Sequence, residues 1–180
     1  MKSDTFSTPY CSQRNTPFPR NEKMEVMAMT IEGYVNIFGE KIAHEFSKTD
    51  HPLTPGNFVE CFAPGAFQTS LLLIPKVDLK DNHGRVIGST TSGELQLSDD
   101  GYGLLARAVI QDSEAIDAVH SGKSFGWSFR CLGARFEWDL LSLEPKRYCR
   151  TIKRTRLLEV SLLIGKKLPY PGSTARIVEE

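Results

Sequence analysis

The chain has 180 residues, enough for one domain with a substantial hydrophobic core. Its 22 basic and 22 acidic residues give a formal net charge of zero, which excludes a chain-wide basic or acidic field, so nucleic acid is not an expected partner. No stretch approaches the roughly 18–20 apolar residues that span a bilayer, and the N-terminus lacks the apolar region of a secretory signal, so no membrane association is expected.

The four cysteines are scattered and form no Cys-x-x-Cys pair, and no histidine lies at metal-ligand spacing from one of them: Cys11, Cys61, Cys131 and Cys149. A structural zinc site is therefore not expected, and free thiols in a reducing cytoplasm are the default interpretation. We expect no metal and no organic cofactor.

Residues 1–25 are rich in Ser, Thr, Pro, Asn and Arg and have no periodicity, which predicts a flexible N-terminal arm. Residues 26–180 are then predicted to form the folded domain. Its first strand is expected at 30–38, where apolar and polar residues alternate. Residues 39–56 carry charges, Pro and Gly and predict a loop.

Short segments with strand character follow, separated by turn residues: 58–62, 77–79, 86–91, 94–97, 104–110, 125–132, 134–140, 148–152 and 157–164. Asp-Gly within 99–103 predicts a hairpin, and Gly133 is expected to break one strand from the next. Two short helices are predicted, at 64–73 after Pro64 and from Asp112 or Ser113 to about His120. The tail is expected to be irregular. This pattern predicts a mostly β, α+β chain, arranged as a closed or nearly closed β-barrel with short helices packed outside.

Three separate motifs carry the parts of an activated-serine site, which are a hydroxyl, an imidazole and a carboxylate. His83 lies in Leu79-Lys-Asp-Asn-His-Gly84, Ser128 in Gly122-Lys-Ser-Phe-Gly-Trp-Ser-Phe-Arg130, and Glu159 in Leu158-Glu-Val-Ser-Leu162. Each residue also has a plain structural interpretation, as a solvated turn histidine, an ordinary strand serine and a solvent-facing strand glutamate.

Side-chain alternation on a strand predicts that Trp127 and Phe129 face the core, while Ser128 and Gly126 lie on the opposite face. That face has little bulk, so a peptide could approach its backbone. Ser124 shares the face of Ser128 and is its main rival as nucleophile.

Ser161 shares the face of Glu159 and is an alternative orienting group. Arg130 could stabilise developing negative charge, although a surface role is favoured. The other histidines match no motif of interest: His44, His51 and His120. One dense basic run could contact acidic partners but is expected to be a solvated face: Lys146, Arg147, Arg150, Lys153, Arg154 and Arg156.

Three groups of segments resemble the prohead maturation proteases of tailed bacteriophages, the kind that process an HK97-like capsid. The first group is Ile31-Glu-Gly-Tyr-Val35 with Glu60-Cys-Phe-Ala-Pro-Gly-Ala-Phe67, and the second runs from Asn82-His83 through Gly93-Glu-Leu95 to Gly103-Leu-Leu105. The third is Ser124-Phe-Gly-Trp-Ser-Phe129 with Arg156-Leu-Leu-Glu-Val-Ser-Leu162 and Pro169-Tyr-Pro171. Arg130 and Cys131 depart from the family, which usually has Gly and an aromatic residue there.

The resemblance implies a barrel like that of herpesvirus assemblin and a serine endopeptidase with Ser128 as nucleophile, His83 as base and Glu159 as the group that holds the imidazole. It implies the major capsid protein or its scaffolding segment as substrate, self-cleavage as a further activity, and action within the assembling procapsid in the bacterial cytoplasm. A homo-oligomer is left open. Two alternatives are an inactive scaffold or assembly module and a β-barrel binding domain in which Trp127 and Phe129 would form an exposed stacking platform.

Overall fold

The computed structural model describes residues 28–45, 57–73, 76–143 and 146–179. Within these ranges it has ten strands and two helices. The strands are β1 (Met29–Ile37), β2 (Ile42–Glu45), β3 (Asn57–Phe62), β4 (Asp78–Asp81), β5 (Val86–Ser89), β6 (Leu95–Asp99), β7 (Gly103–Ile110), β8 (Phe125–Leu143), β9 (Lys146–Ile164) and β10 (Arg176–Val178). The helices are α1 (Gln68–Leu73) and α2 (Ser113–His120). The prediction of a mostly β chain with short helices is confirmed. In the described part of the chain, neither helix has the length and apolar content required to cross a membrane.

The strands form two sheets. The smaller sheet is antiparallel, in the order β10-β1-β7-β6. The larger sheet is mixed: β9 pairs in parallel with β3 and with β4, and antiparallel with β8. β2 extends the sheet beyond β3, and β5 extends it beyond β4. The ladders of the described residues join into two sheets and do not form one continuous ring, so the closed barrel stays a prediction.

One hydrophobic core receives side chains from both sheets and both helices. From Leu104 onward β7 alternates buried and half-buried residues, and Ala106 and Ala108 are fully buried. On the larger sheet, Trp127 is fully buried and Phe129 nearly so. The ring of Phe67, just before α1, stacks on Phe62 with centroids 5.2 Å apart and meets Phe129 edge-on at 5.4 Å. Such aromatic pairs, together with the area they bury, hold the core in one arrangement.

The two longest strands differ from the prediction, because the expected breaks are absent. Gly133 does not end a strand: it adopts a φ of +64° within a register shift of β8, and pairing with β9 resumes at Arg135. This is the behaviour of a β-bulge, which bends a strand without terminating it. The predicted gap in β9 is likewise filled, because residues 154 and 156 pair with β8.

Three smaller predictions were also wrong. The predicted loop 39–56 contains β2, which pairs with β3. The irregular tail contains β10, which pairs with β1 at the edge of the smaller sheet. The first helix begins at Gln68 rather than at Pro64, because Gly65 has a φ of +80° that no α-helix accommodates. The predicted arm, residues 1–25, lies outside the described residues.

Candidate active site

The three motifs meet at the C-terminal part of β9. Glu159 lies on β9 itself, directly opposite Arg130 of β8. Ser128, two residues earlier on β8, lies opposite Ser161. Because side chains alternate along a strand, the register places Ser128, Arg130, Glu159 and Ser161 on one face of the sheet. β4 pairs with the other edge of β9 and ends at Asp81, so the turn that follows it reaches the same face.

His83 is presented by a strained turn between β4 and β5. Asn82 and His83 have φ angles of 49° and 62°, and the Gly84 N–H donates to the Asp81 carbonyl at 2.8 Å. Two central residues of positive φ are typical of a type I′ turn, which suits a hairpin but is costly for a residue such as histidine.

Contacts with β9 hold this turn in place. The Asn82 N–H donates to the Leu162 carbonyl at 3.0 Å, and the Asn82 side-chain oxygen accepts from the Ile164 N–H at 3.2 Å. The His83 N–H donates to the Ser161 hydroxyl at 3.1 Å. Ser161, the alternative orienting group, therefore contacts the backbone of His83 through its hydroxyl, and the imidazole has a different partner.

The imidazole of His83 has a partner at each ring nitrogen. The Ser128 hydroxyl lies 2.9 Å from Nε2, and Oε1 of Glu159 lies 2.7 Å from Nδ1. With the proton on Nδ1, the ring donates to the carboxylate and accepts from the hydroxyl. The structure thus brings the three predicted residues into one hydrogen-bonded chain.

The rival groups lie elsewhere or make other contacts. Ser124 is exposed just before β8, and its carbonyl accepts from the Gly165 N–H at 2.7 Å. His120 is exposed at the end of α2. His51 and the side chain of His44 lie outside the described residues.

Glu159 is a buried carboxylate whose charge is compensated. Only 3% of the residue is exposed, and the Lys80 ammonium lies 2.5 Å from its Oε2. Burial by itself raises the pKa of Glu159, but hydrogen bonds from Lys80 and His83 outweigh it, so that the pKa is lowered from its ordinary value of 4.5. Glu159 is therefore ionised at neutral pH and can accept from Nδ1–H.

Lys80 is the residue at this site that the sequence reasoning missed. It stands three residues before His83 on a strand of mixed polarity, where a lysine is ordinarily solvent-facing. Lys80 pairs with Ser161 of β9, so its side chain shares the face of Glu159, and this long-range pairing has no signal in the local sequence.

The side chain of Arg130 lies near Glu159 but is largely exposed to solvent. Its Nε is 4.0 Å from Oε1 of Glu159, and 60% of its side chain is exposed. Its role in stabilising negative charge stays a prediction.

Access to Ser128 is narrower than the open serine face expected from the sequence. The residue is only 3% exposed, whereas 30% of the His83 side chain is exposed. Leu168 covers part of this face, because a Cβ placed on Gly126 would lie 2.6 Å from its Cδ1. A peptide backbone could occupy the space above Gly126 only after Leu168 has moved.

Burial bears on two further predictions. Trp127 and Phe129 are in the core, as side-chain alternation predicted, so they cannot form the exposed stacking platform of the binding-domain alternative. Most described residues of the basic run are exposed, as expected of a solvated face: Arg147, Lys153, Arg154 and Arg156. Arg150 is the exception, since it donates to the buried Glu60 at 2.6 Å and lies over the ring of Phe58 at 4.7 Å. Within the described ranges, no cluster of three or more His, Cys, Asp or Glu residues is placed to hold a metal ion.

Comparison with known families gives one finding. A family model described as the caudovirus prohead serine protease matches residues 17–175. Neither the curated proteins nor the solved structures contain a significant match. Since the family model covers nearly the whole sequence, the chain belongs to the caudovirus prohead serine protease family.

Proposed function

We propose that this chain is an active serine endopeptidase in which Ser128 is the nucleophile, His83 the general base and Glu159 the group that orients the imidazole. The observation that carries the proposal is the double engagement of His83, at 2.9 Å from the Ser128 hydroxyl and 2.7 Å from Glu159. A serine hydroxyl is a poor nucleophile near neutral pH unless a base within hydrogen-bond distance takes its proton.

The geometry supports a defined sequence of steps. Ser128 Oγ attacks the scissile carbonyl while its proton passes to Nε2 of His83, and Glu159 stabilises the resulting imidazolium through Nδ1–H. The imidazolium then gives that proton to the leaving amine, which releases the first product and leaves an acyl-enzyme. Water, deprotonated by the same imidazole, hydrolyses the ester and restores Ser128.

The strain in the His83 turn fits this role. A positive φ at a histidine is maintained only where surrounding contacts over-determine it, and such residues concentrate at functional sites. Here the side chain of Asn82, in the turn, accepts from the backbone of β9. The hydroxyl of Ser161, on β9, accepts from the backbone N–H of His83. The base is therefore held on a short, fixed support beside the nucleophile.

Family membership supports a substrate within the capsid. We infer that the enzyme cleaves the major capsid protein or its scaffolding segment, and also its own chain, inside the procapsid in the bacterial cytoplasm. Residues 26–180 would form the protease domain and 1–25 an arm. The two sheets share one core, which supports a relation to the assemblin-like barrel.

Coexpression with a matching capsid protein tests the proposal. Ser128→Ala should leave the capsid protein full length, because loss of a triad nucleophile costs on the order of 10³-fold or more in rate. Ser124→Ala, the matched control on the same face, should process it as the wild type does. Equal processing by both variants would refute the assignment of Ser128. If the folded wild type leaves the capsid protein uncleaved, the alternative of an inactive assembly module would be favoured.

A further inference from the structure

Glu159 has two oxygens, and only one of them faces His83. The second, Oε2, lies 2.5 Å from the ammonium of Lys80. The lysine side chain is 20% exposed and the glutamate side chain 4% exposed, so water competes little for this contact. A charge-assisted hydrogen bond of this kind, removed from solvent, is both short and directional.

Lys80 is fixed by the same strand that presents His83. It lies on β4, in register with Ser161 of β9, and the turn that carries His83 begins two residues later. The ammonium and the imidazole therefore approach Glu159 from one rigid support, each at its own oxygen. Movement of the carboxylate toward either partner would lengthen its contact with the other.

The other charged groups near Glu159 have different partners or greater exposure. Asp78 of β4 pairs with Glu159 in the register, and its carboxylate is 3.1 Å from the exposed Lys76. Arg130 of β8 is 4.0 Å from Oε1 and largely solvated. Among the described residues, Lys80 makes the shortest ion pair to Glu159.

We propose that Lys80 is a positioning residue for the reaction, which extends the active site from three side chains to four and rests on the proposed function. Its ammonium binds Oε2 and prevents rotation of the carboxylate, so that Oε1 stays in line with Nδ1 of His83. The imidazole is thereby kept in the tautomer whose Nε2 accepts from Ser128. Lys80 keeps its own proton throughout: the moving proton passes from Ser128 Oγ to Nε2 and then to the leaving amine.

Lysine variants of the purified full-length chain test this with a capsid protein substrate. Lys80→Met should lower kcat about 10- to 100-fold, the range for loss of a charge-assisted hydrogen bond. KM should stay within about twofold, because the Lys80 ammonium is engaged by Glu159. Lys80→Arg should recover most of the lost kcat. Lys76→Met, a matched lysine just before β4 with a 61% exposed side chain, should behave as the wild type. Equal losses in the two methionine variants, or no loss in Lys80→Met, would overturn the proposal.

A second measurement separates this inference from the proposed function. Nitrogen-15 NMR of the histidine side chains reports the tautomer of His83 whether or not the protein cleaves anything, and His83→Gln assigns the signal. We expect one Nδ1-protonated tautomer in the wild type and in Lys76→Met, and a mixture in Lys80→Met. If the wild type does not cleave the substrate but Lys80→Met still changes the His83 signal, the proposed function is refuted and the positioning contact is supported. If the wild type cleaves the substrate and Lys80→Met leaves the His83 signal unchanged, the positioning role alone is refuted. If Lys80→Met does not fold, Lys80→Ala gives the same readout, because it also removes the donor to Oε2.

Discussion

Replacing Asn82 with alanine removes the side chain that ties the His83 turn to β9, and we expect it to reduce both stability and activity. Asn82 has a φ of 49°, and its side-chain oxygen accepts from the Ile164 N–H at 3.2 Å. The change therefore deletes two hydrogen bonds, this one and the one that the Asn82 Nδ2–H donates to Asp81 Oδ1 at 2.8 Å. It also replaces a residue type that tolerates the left-handed region with one that does not. Asn82→Gly deletes the same hydrogen bonds but carries no Cβ, so the two variants separate the two effects.

The magnitudes follow from these contributions. Loss of the two hydrogen bonds costs about 1–2 kcal/mol, and alanine in the left-handed region costs roughly 1–2 kcal/mol. Asn82→Ala should therefore lose about 2–4 kcal/mol of unfolding free energy. Asn82→Gly should lose about 1.5–3 kcal/mol, because glycine adds roughly 0.5–1 kcal/mol of unfolded-chain entropy to the lost bonds.

Urea unfolding measures both losses as shifts in the transition midpoint at constant slope. Processing of a capsid protein should slow in both variants, since His83 loses an anchor. Gln96→Ala, on the exposed face of β6, is the control and should stay within about 0.5 kcal/mol of the wild type. A glycine variant less stable than the alanine variant would refute the predicted cost of the left-handed backbone. Two variants as stable as the control would refute the role of the two hydrogen bonds.

Two further predictions concern packing and pH. Gly33→Ala should destabilise the fold by about 1–3 kcal/mol in urea unfolding, because a Cβ there would lie 2.0 Å from the Thr174 carbonyl oxygen. A loss under about 0.5 kcal/mol would contradict this prediction, since it would mean that the backbone at Thr174 moves away at little cost. Lys80 and His83 lower the pKa of Glu159 in the folded state. The ionised carboxylate therefore stabilises the fold at pH values above its ordinary pKa of 4.5. That stabilisation is lost as the pH falls through the lower pKa of the folded state. Urea midpoints measured across the acidic range should therefore decline less steeply in Glu159→Gln, and parallel declines would contradict the assignment.

Local features of the fold were readable from the sequence because their causes are local. The alternation of β1 and β7 and the Asp-Gly hairpin between β6 and β7 depend on neighbouring residues alone. So does the start of α2, where the Asp112 side chain accepts from the Ala115 N–H. Each of these predictions is confirmed.

The pairings that organise the larger sheet were not readable. β9 pairs in parallel with β3 and β4, which lie far from it in the sequence. No local sequence pattern in β3 or β4 identifies β9 as the partner strand. Gly133 illustrates the same limit, because a glycine in a strand pattern is compatible with a break or with a bulge, and the partner strand decides. β10 forms only because β1 offers an edge.

The candidate site divides in a similar way. Ser128, His83 and Glu159 were named from short motifs and a family resemblance, but the register that opposes Arg130 to Glu159 sets the distances among them. No sequence motif indicated Lys80. Its contact with Glu159 depends on parallel pairing between β4 and β9, which lies beyond the range of local patterns.

β9 follows both β4 and β8 in the sequence, and this order has a consequence for the timing of biosynthesis. In the described structure β4 and β8 do not pair with each other, and β9 is the strand that pairs with both. A ribosome delivers the strand with the hydroxyl and the hairpin with the imidazole first, and they have no common template until β9 has left the exit tunnel. A nascent chain therefore cannot assemble the hydroxyl–imidazole–carboxylate relay before residues 146–164 have emerged, so a polypeptide that stops at the end of β8 has no complete relay.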